Sequence, residues 1–213
     1  MHITVFGATG GVGSRVVEEA LRRGHTVRAV ARNPERLGAL PAEVEIRGAD
    51  ASDPAQIAET AVGSDVVISA TRPVVGREHE LAEVAAALLE GLSHSDIRLL
   101  VVGGAGSLIV PGTGKILSEQ PDFPAELLPI ADACNRQLDV FRAAQDGPVN
   151  WTYLSPAALL EPGERTGDFR LGTDELLADA DGNSAISMED LAVALVDEAE
   201  NPKHHRTRFT AGY

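Results

Sequence analysis

Three glycines, Gly7, Gly10 and Gly13, are spaced G-x-x-G-x-x-G at the point where a short apolar run must turn into a helix. The run is Ile3–Phe6, the helix starts near Val12, and Gly24 stands where a C′ glycine closes such a helix. A second apolar run, Thr26–Ala31, follows at once. Strand, glycine turn, helix and strand in this order make a parallel βαβ unit. Glycines let the turn tighten and let an anion approach the backbone, and the amides of the helix N-terminus supply positive potential. A dinucleotide pyrophosphate is the anion this turn suits; the bland alternative is glycines kept only for packing.

The same alternation continues along the chain. Strands are predicted at Ile3–Phe6, Thr26–Ala31, Val44–Arg47, Val66–Ser69, Leu99–Val102 and Trp151–Leu154, several of them apolar almost throughout, as parallel strands buried on both faces require. Helices are predicted at Val12–Arg23, Pro34–Leu40, Pro54–Val62, His79–Leu92 and about Ala125–Gln145. The fold class is therefore α/β, a doubly wound parallel sheet of Rossmann type. The tail is expected to add a small C-terminal cap with a strand near Ala185–Ser187, a helix Met188–Glu200 and a strand Arg206–Thr210. Two long Gly- and Pro-rich stretches, Gly103–Phe123 and Ser155–Ala180, follow strands at one edge of the sheet and should flank one crevice there.

The chain of 213 residues suits a single domain, 1–213, with about 155–213 contributing the cap. Its net charge of −14 repels polyanions, so neither nucleic acid nor a membrane surface is an expected partner. No apolar run is long enough to span a bilayer, and His2 and Thr4 interrupt the N-terminus, so no secretory leader is expected. One cysteine, Cys134, cannot form an internal disulfide, which points to a reducing cytoplasm; it reads as a buried thiol, not a nucleophile.

NAD-binding units place an acid at the end of the second strand, where it accepts hydrogen bonds from the ribose 2′-hydroxyl. Here that strand ends in Arg32, with Arg36 one turn on. A guanidinium suits a 2′-phosphate instead, so the reading leans to NADPH, the plain alternative being an ordinary solvated arginine. Asp50-Ala51, after the third strand, is placed to touch the adenine, while Asp53 reads as a helix cap before Pro54. The tyrosines are Tyr153 and Tyr213 and the lysines Lys115 and Lys203, so the Tyr-x-x-x-Lys pair of alcohol-oxidising short-chain dehydrogenases is not present.

Together the motifs VFGATGGVG, VARNPERL, LLVVGGAGSL, QPDFP, LSPA, EPGERTG, FRLGTDELL and HHRTRFTAGY resemble the atypical short-chain dehydrogenases/reductases, most closely the NADH-flavin reductase group, whose relatives include biliverdin-IXβ/flavin reductases and NAD(P)-binding nitrogen-repression regulators. EPGERTG and RFTAGY are the more specific of these. The resemblance implies that Gly7, Thr9, Gly10, Gly11 and Val12 hold the pyrophosphate. It implies Arg32 and Arg36 for the 2′-phosphate, and Asp50 and Ala51 for the adenine. Ala70, Thr71 and Arg72 would line the ribose and pyrophosphate. Gly103 and Gly104, with Ser155, Pro156 and Ala157, would wall the nicotinamide, and Ser107 is the candidate for the serine such reductases carry after the fifth strand. The activity implied is hydride transfer from NADPH to a flavin- or quinone-like small molecule, with flavin as substrate, and no side chain is an obligate acid. Two alternatives share the pocket: an NADP(H) sensor acting through a protein partner, and an epimerase or dehydratase on a nucleotide-linked substrate, which the missing Tyr/Lys pair and the short tail disfavour.

Three stretches imitate other sites. Asp179–Asp190 resembles an EF-hand loop but has Ser184 where the turn needs glycine and Asp190 where a bidentate glutamate belongs, so a turn leading to a Ser187 cap is expected. Gly112-Thr113-Gly114-Lys115 lacks the first glycine and the Ser/Thr of a P-loop. His204-His205 has no third ligand and is expected to be solvated; no metal is predicted.

Overall fold

Strands this apolar have no face to leave in water, and they assemble into one sheet covered on both sides. The computed structural model describes residues 1–37 and 40–213, and the side chains of all of these except 36 and 37. In chain order the elements are β1 (His2–Phe6), α1 (Gly11–Arg22), β2 (Thr26–Ala31), β3 (Glu45–Gly48), α2 (Pro54–Ala61), β4 (Val66–Ser69), α3 (Glu80–Gly91) and β5 (Arg98–Val102). They continue with α4 (Leu128–Ala143), β6 (Trp151–Pro156), β7 (Leu159–Glu161), β8 (Arg170–Gly172), β9 (Ala185–Ser187), α5 (Met188–Glu200) and β10 (Thr207–Gly212).

Eight strands pair in the order β3-β2-β1-β4-β5-β6-β10-β8, all parallel except β8. The direction of winding reverses between β1 and β4, where Ile3 faces Val66 and Phe6 faces Ser69; in open sheets that crevice is where ligands bind. Two apolar layers hold the sheet. On one face Val16, Val17 and Ala20 of α1 and Leu191, Leu195 and Val196 of α5 close over β1, β2 and β6. On the other, Ile57 of α2, Leu88 of α3 and Leu138 and Phe141 of α4 pack on Phe6, Val101 and Trp151, with the Phe141 and Trp151 rings 5.6 Å apart. Asp53 caps α2 as expected, its carboxylate accepting from the Ala55 amide at 2.9 Å, and Ser187 caps α5, accepting from the Asp190 amide at 2.9 Å.

Two expectations change. Pro34–Leu37 is a 3₁₀ turn where an α-helix over Pro34–Leu40 is expected; residues 38 and 39 lie outside the described ones. The turn is pressed on β3 so closely that a Cβ at Gly48 would meet Pro34 Cγ at 2.9 Å, which leaves little room for a full helical cylinder. In the tail, strand and helix form at Ala185–Ser187 and Met188–Glu200, but they do not stand apart as a cap. α5 is buried along most of its length and lies beside α1, and β10 joins the main sheet parallel to β6. Only the small β7–β9 ribbon pairs apart from the main sheet.

That ribbon is tied down by charge. Glu19, in α1, is 2% exposed and accepts from Arg165 at 2.7 and 2.8 Å and from Arg23 at 2.7 Å. Buried Asp190 accepts from the Thr166 and Gly167 amides at 2.9 and 2.8 Å and from the Tyr213 hydroxyl at 2.8 Å. The EPGERTG stretch is thus a clamp between the glycine-turn helix and α5. The Arg165 hydrogen bonds, against the cost of burial and with help from Arg23, hold the Glu19 carboxyl at about 2 instead of 4.5. A carboxylate depressed on folding adds stability above its unfolded pKa and loses it as pH falls through the folded one. The difference corresponds to about 3 kcal/mol, present above roughly pH 5 and lost toward pH 2. Denaturant unfolding of wild type and Glu19→Gln over this range should show the variant less stable at pH 6 and with a flatter acid limb; parallel limbs would refute the clamp's contribution.

Candidate functional site

The three glycines have three different jobs. Gly7 has φ +77°, and a Cβ on it would lie 2.5 Å from the Ala70 carbonyl oxygen at the end of β4. A Cβ on Gly13 would lie 2.2 Å from the Gly7 carbonyl oxygen, so α1 rests directly on the turn. Gly10 is different: its Cβ would come no closer than 3.3 Å to protein, and its position faces open space. The first helical bond runs from the Ser14 amide to the Gly10 carbonyl at 3.0 Å, and no carboxylate occupies the first turn. The amides of 11–13 are therefore left without helical acceptors. The cradle is one an anion fits.

A cavity of about 320 Å³ opens over this turn at the carboxyl ends of β1, β2, β3 and β4. Gly7, Thr9 and Gly10 form its floor, Ala31 and Arg32 one wall, Asp50, Ala51 and Ser52 the next, and Ala70, Thr71 and Arg72 the side toward β5. Arg32 is exposed at the mouth and makes no ion pair among the described residues. Asp50 is held by the Ser52 amide at 3.0 Å and hydroxyl at 2.8 Å; the Ser52 amide bond, then its hydroxyl and the Arg32 charge, outweigh burial and keep its carboxyl below the usual range. The Gln56 side chain accepts from the Asp50 amide at 2.9 Å and donates to Asp53 at 2.7 Å. The wall after β3 is thereby fixed by the cap of α2.

Of the residues expected at the site, Gly7, Thr9, Gly10, Arg32, Asp50, Ala51, Ala70, Thr71 and Arg72 meet in this one cavity. Gly11 and Val12 offer only their helix-end amides: a Cβ on Gly11 would meet Met188 Sδ at 2.9 Å, and the half-buried Val12 side chain packs against the core. The Arg36 side chain lies outside the described ones. Gly103, Gly104, Ser155, Pro156 and Ala157 sit at the carboxyl ends of β5 and β6 but do not open on the cavity. Ser155 and Ala157 are sealed, at 0% and 1% exposure. Gly103 and Gly104 make room for Tyr153 and Cys134, whose atoms a Cβ would approach to 2.0 and 2.8 Å. Ser107 accepts from Arg208 at 2.8 Å on the strap after β5, away from the cavity. The strap and the loop around Asp174 touch each other here and do not flank an open crevice.

Sequence reasoning missed the outer rim, Arg77, Glu80 and Glu83 at the start of α3, where Arg77 pairs with Glu80. The only signal was a charged helix start after Arg72. His204 is not simply solvated: its Nδ1 lies 2.8 Å from Glu198, which also binds buried Arg98, and its ring stacks on Phe209 at 4.4 Å. Exposed His205 contacts Asn150. Asp179 accepts from the Asp181 and Asn183 amides at 2.9 and 2.8 Å, a tight turn, and Gly112–Lys115 is a loop with positive φ at Gly112 and Gly114. Burial pushes the Cys134 thiol up to about 11, as befits an inert thiol. Among the described residues no helix is long and apolar enough to cross a membrane, and no cluster of metal-ligating side chains occurs.

The family model described as NAD(P)H-binding matches residues 7–202 of the chain. The uncharacterized protein YwnB of Bacillus subtilis is 38% identical over 213 residues, 99% of this chain and 97% of that one. A Burkholderia pseudomallei protein described provisionally as exported has a solved structure with TM-score 0.89 and 42% identity, each chain covered in full. A Streptococcus pneumoniae protein described provisionally as an NADH-flavin reductase gives 0.88 and 32%, covering 100% of this chain and 99% of that one.

The different surroundings of Gly10 and Gly13 separate binding from folding. Gly10→Leu should abolish nucleotide binding by calorimetry while leaving the melting temperature within a few degrees. Gly13→Ala should instead cost stability, about 1–3 kcal/mol or more, because overpacked atoms must shift.

Proposed function

The chain belongs to the NAD(P)H-binding family, and on that premise we propose that it is an oxidoreductase that takes NADPH and reduces a flat, conjugated acceptor of flavin or quinone type. The observation that carries the reading is Arg32, exposed at the mouth of the cavity at the end of β2 without an ion-pair partner among the described residues. A carboxylate in that place would favour a 2′-hydroxyl; a guanidinium offers a 2′-phosphate a permanent charge and forked donors. The free amides of α1 suit the pyrophosphate, and the pinned Asp50–Ser52 turn suits the adenine edge. The nicotinamide of a dinucleotide so held would supply a hydride.

The protein's share is then to hold and orient. Tyr153 is poorly suited as a proton donor: it is 1% exposed, its hydroxyl is engaged by the Cys134 carbonyl and Gln137 at 3.0 and 3.1 Å, and burial pushes its pKa well above the ordinary value. An acceptor whose proton comes from water needs no such group, which favours flavins and quinones over simple carbonyls. The single cysteine agrees with work in a reducing cytoplasm.

NADPH oxidation with and without FMN tests the activity; tight NADPH binding with no turnover on flavins or quinones would move the reading to a sensor. Arg32→Ala should weaken NADPH binding by about tenfold or more, the 1.5–3 kcal/mol of a charged hydrogen bond, and leave NADH nearly unchanged. Tyr153→Phe should keep FMN reduction within about tenfold, below the 10²–10⁴ of an obligate general acid.

A further inference from the structure

The cavity accounts for one half of the crevice. It draws on the ends of β1 to β4 and on none of β5, β6 or β10. At those remaining ends Ser155 and its cross-strand neighbour Thr210 are both 0% exposed. Neither hydroxyl has a hydrogen-bond partner among the described residues. Sealed, unpaired hydroxyls are costly in a finished core, and they stand at the sheet edge where ligands bind. They share a face with Arg208, two residues before Thr210 along β10.

Arg208 is also what ties the covering strap down. Its side chain, 3% exposed, donates to Ser107 at 2.8 Å and to Asp174 at 3.0 Å, and Asp174 lies 3.7 Å from Arg142 as well. The Ile109 amide bonds the Asp174 carbonyl at 2.8 Å and the Leu176 amide returns to Ile109 at 2.9 Å. Leu108, at 0% exposure, is the one apolar side chain the strap from 107 to 118 buries fully. Ile109, Val110, Ile116 and Leu117 are only half-buried, and 111–115 are exposed, so the polar contacts to Arg208 and Asp174 carry much of its attachment. Such segments open at low free energy.

We propose that residues 103–118 are a latched roof over the half of the site that receives the nicotinamide ring and the acceptor. Arg208 is the latch, and Ser155 and Thr210 are polar floor waiting for a ligand's hydrogen-bonding edge. The inference rests on the dinucleotide reading of the cavity. The adenosine half binds without disturbing the strap; the second half enters only when Ser107 and Asp174 let go of Arg208. The latch thus lowers the apparent affinity for the whole dinucleotide by the fraction of molecules that are open.

Ser107→Ala and Asp174→Ala each remove one tie without emptying the core, and two probes separate the halves: NADPH, and adenosine 2′,5′-bisphosphate, which carries no nicotinamide. In both variants the amides of 104–118 should exchange with deuterium faster than in wild type while β1 and β4 do not change. Cys134, packed against Gly104 at the root of the strap, should react faster with a thiol reagent. NADPH should bind about three- to tenfold tighter and the bisphosphate should be unaffected. Equal shifts for both probes, or strap exchange unchanged in both variants, would overturn the latch. If neither probe binds wild type, the cofactor reading falls, and the exchange and thiol rates alone decide whether the strap is latched.

Discussion

Everything at the binding edge depends on one contact between backbones: the Gly7 carbonyl lies under Gly13, and Gly7 itself lies against the Ala70 carbonyl. No side chain fits in either place. Because α1 can rest directly on the turn, its first amides are aimed over the ends of β1 and β4, at the crevice where the winding reverses. Because Ala70 can lean on Gly7, the residues after β4 become a wall of the same cavity. The apolar packing of Val16, Val17 and Ala20 then holds the helix in that place. Function and stability are thus joined at the turn, but through different glycines.

EPGERTG, one of the two stretches on which the resemblance to the reductases is more specific, lies outside the cavity. Its arginine meets Glu19, its threonine and second glycine meet Asp190, and the Gly163 amide meets Glu189 at 2.7 Å. The closing Tyr213 hydroxyl completes the clamp on Asp190. These are buried or half-buried charges whose loss of hydration is offset only while every partner stays in place. That alone makes such a motif intolerant of change. Glu198 does the same at the opposite edge, gathering Arg98, His204 and two backbone amides.

What was legible in the chain follows a physical line. Apolar runs such as Val66–Ser69 and Trp151–Leu154 carry their own burial, so the parallel strands and the doubly wound class could be read from them, while the strand order belongs to the folded chain. The glycine spacing located the cavity, and Arg32, Asp50 and Thr71 fell into it because each follows a strand. Residues 34–37 misled because Pro34 is a good helix start, while the close approach to Gly48 belongs to tertiary packing. Gly103 and Ser155 do stand at the carboxyl ends of β5 and β6, yet whether Ser155 meets solvent is decided by a strap and a loop distant in sequence. Salt bridges such as Arg15 to Glu189, or Arg165 to Glu19, join residues more than a hundred positions apart, and nothing local announces them.

The place of β10 bears on how such a chain comes off the ribosome. Residues 207–212 form not an edge but an interior strand, between β6 and β8, and α5 just before it supplies half of one helical layer. Until residue 212 has been made, β6 is an open edge and one flank of α1 lacks its neighbour. The nascent chain must therefore carry the uncovered apolar stripe of α1 until α5 is made, and the unpaired edge of β6 until β10 follows, the kind of surface on which chains aggregate. Its strong negative charge gives copies on neighbouring ribosomes a reason to keep apart during that interval.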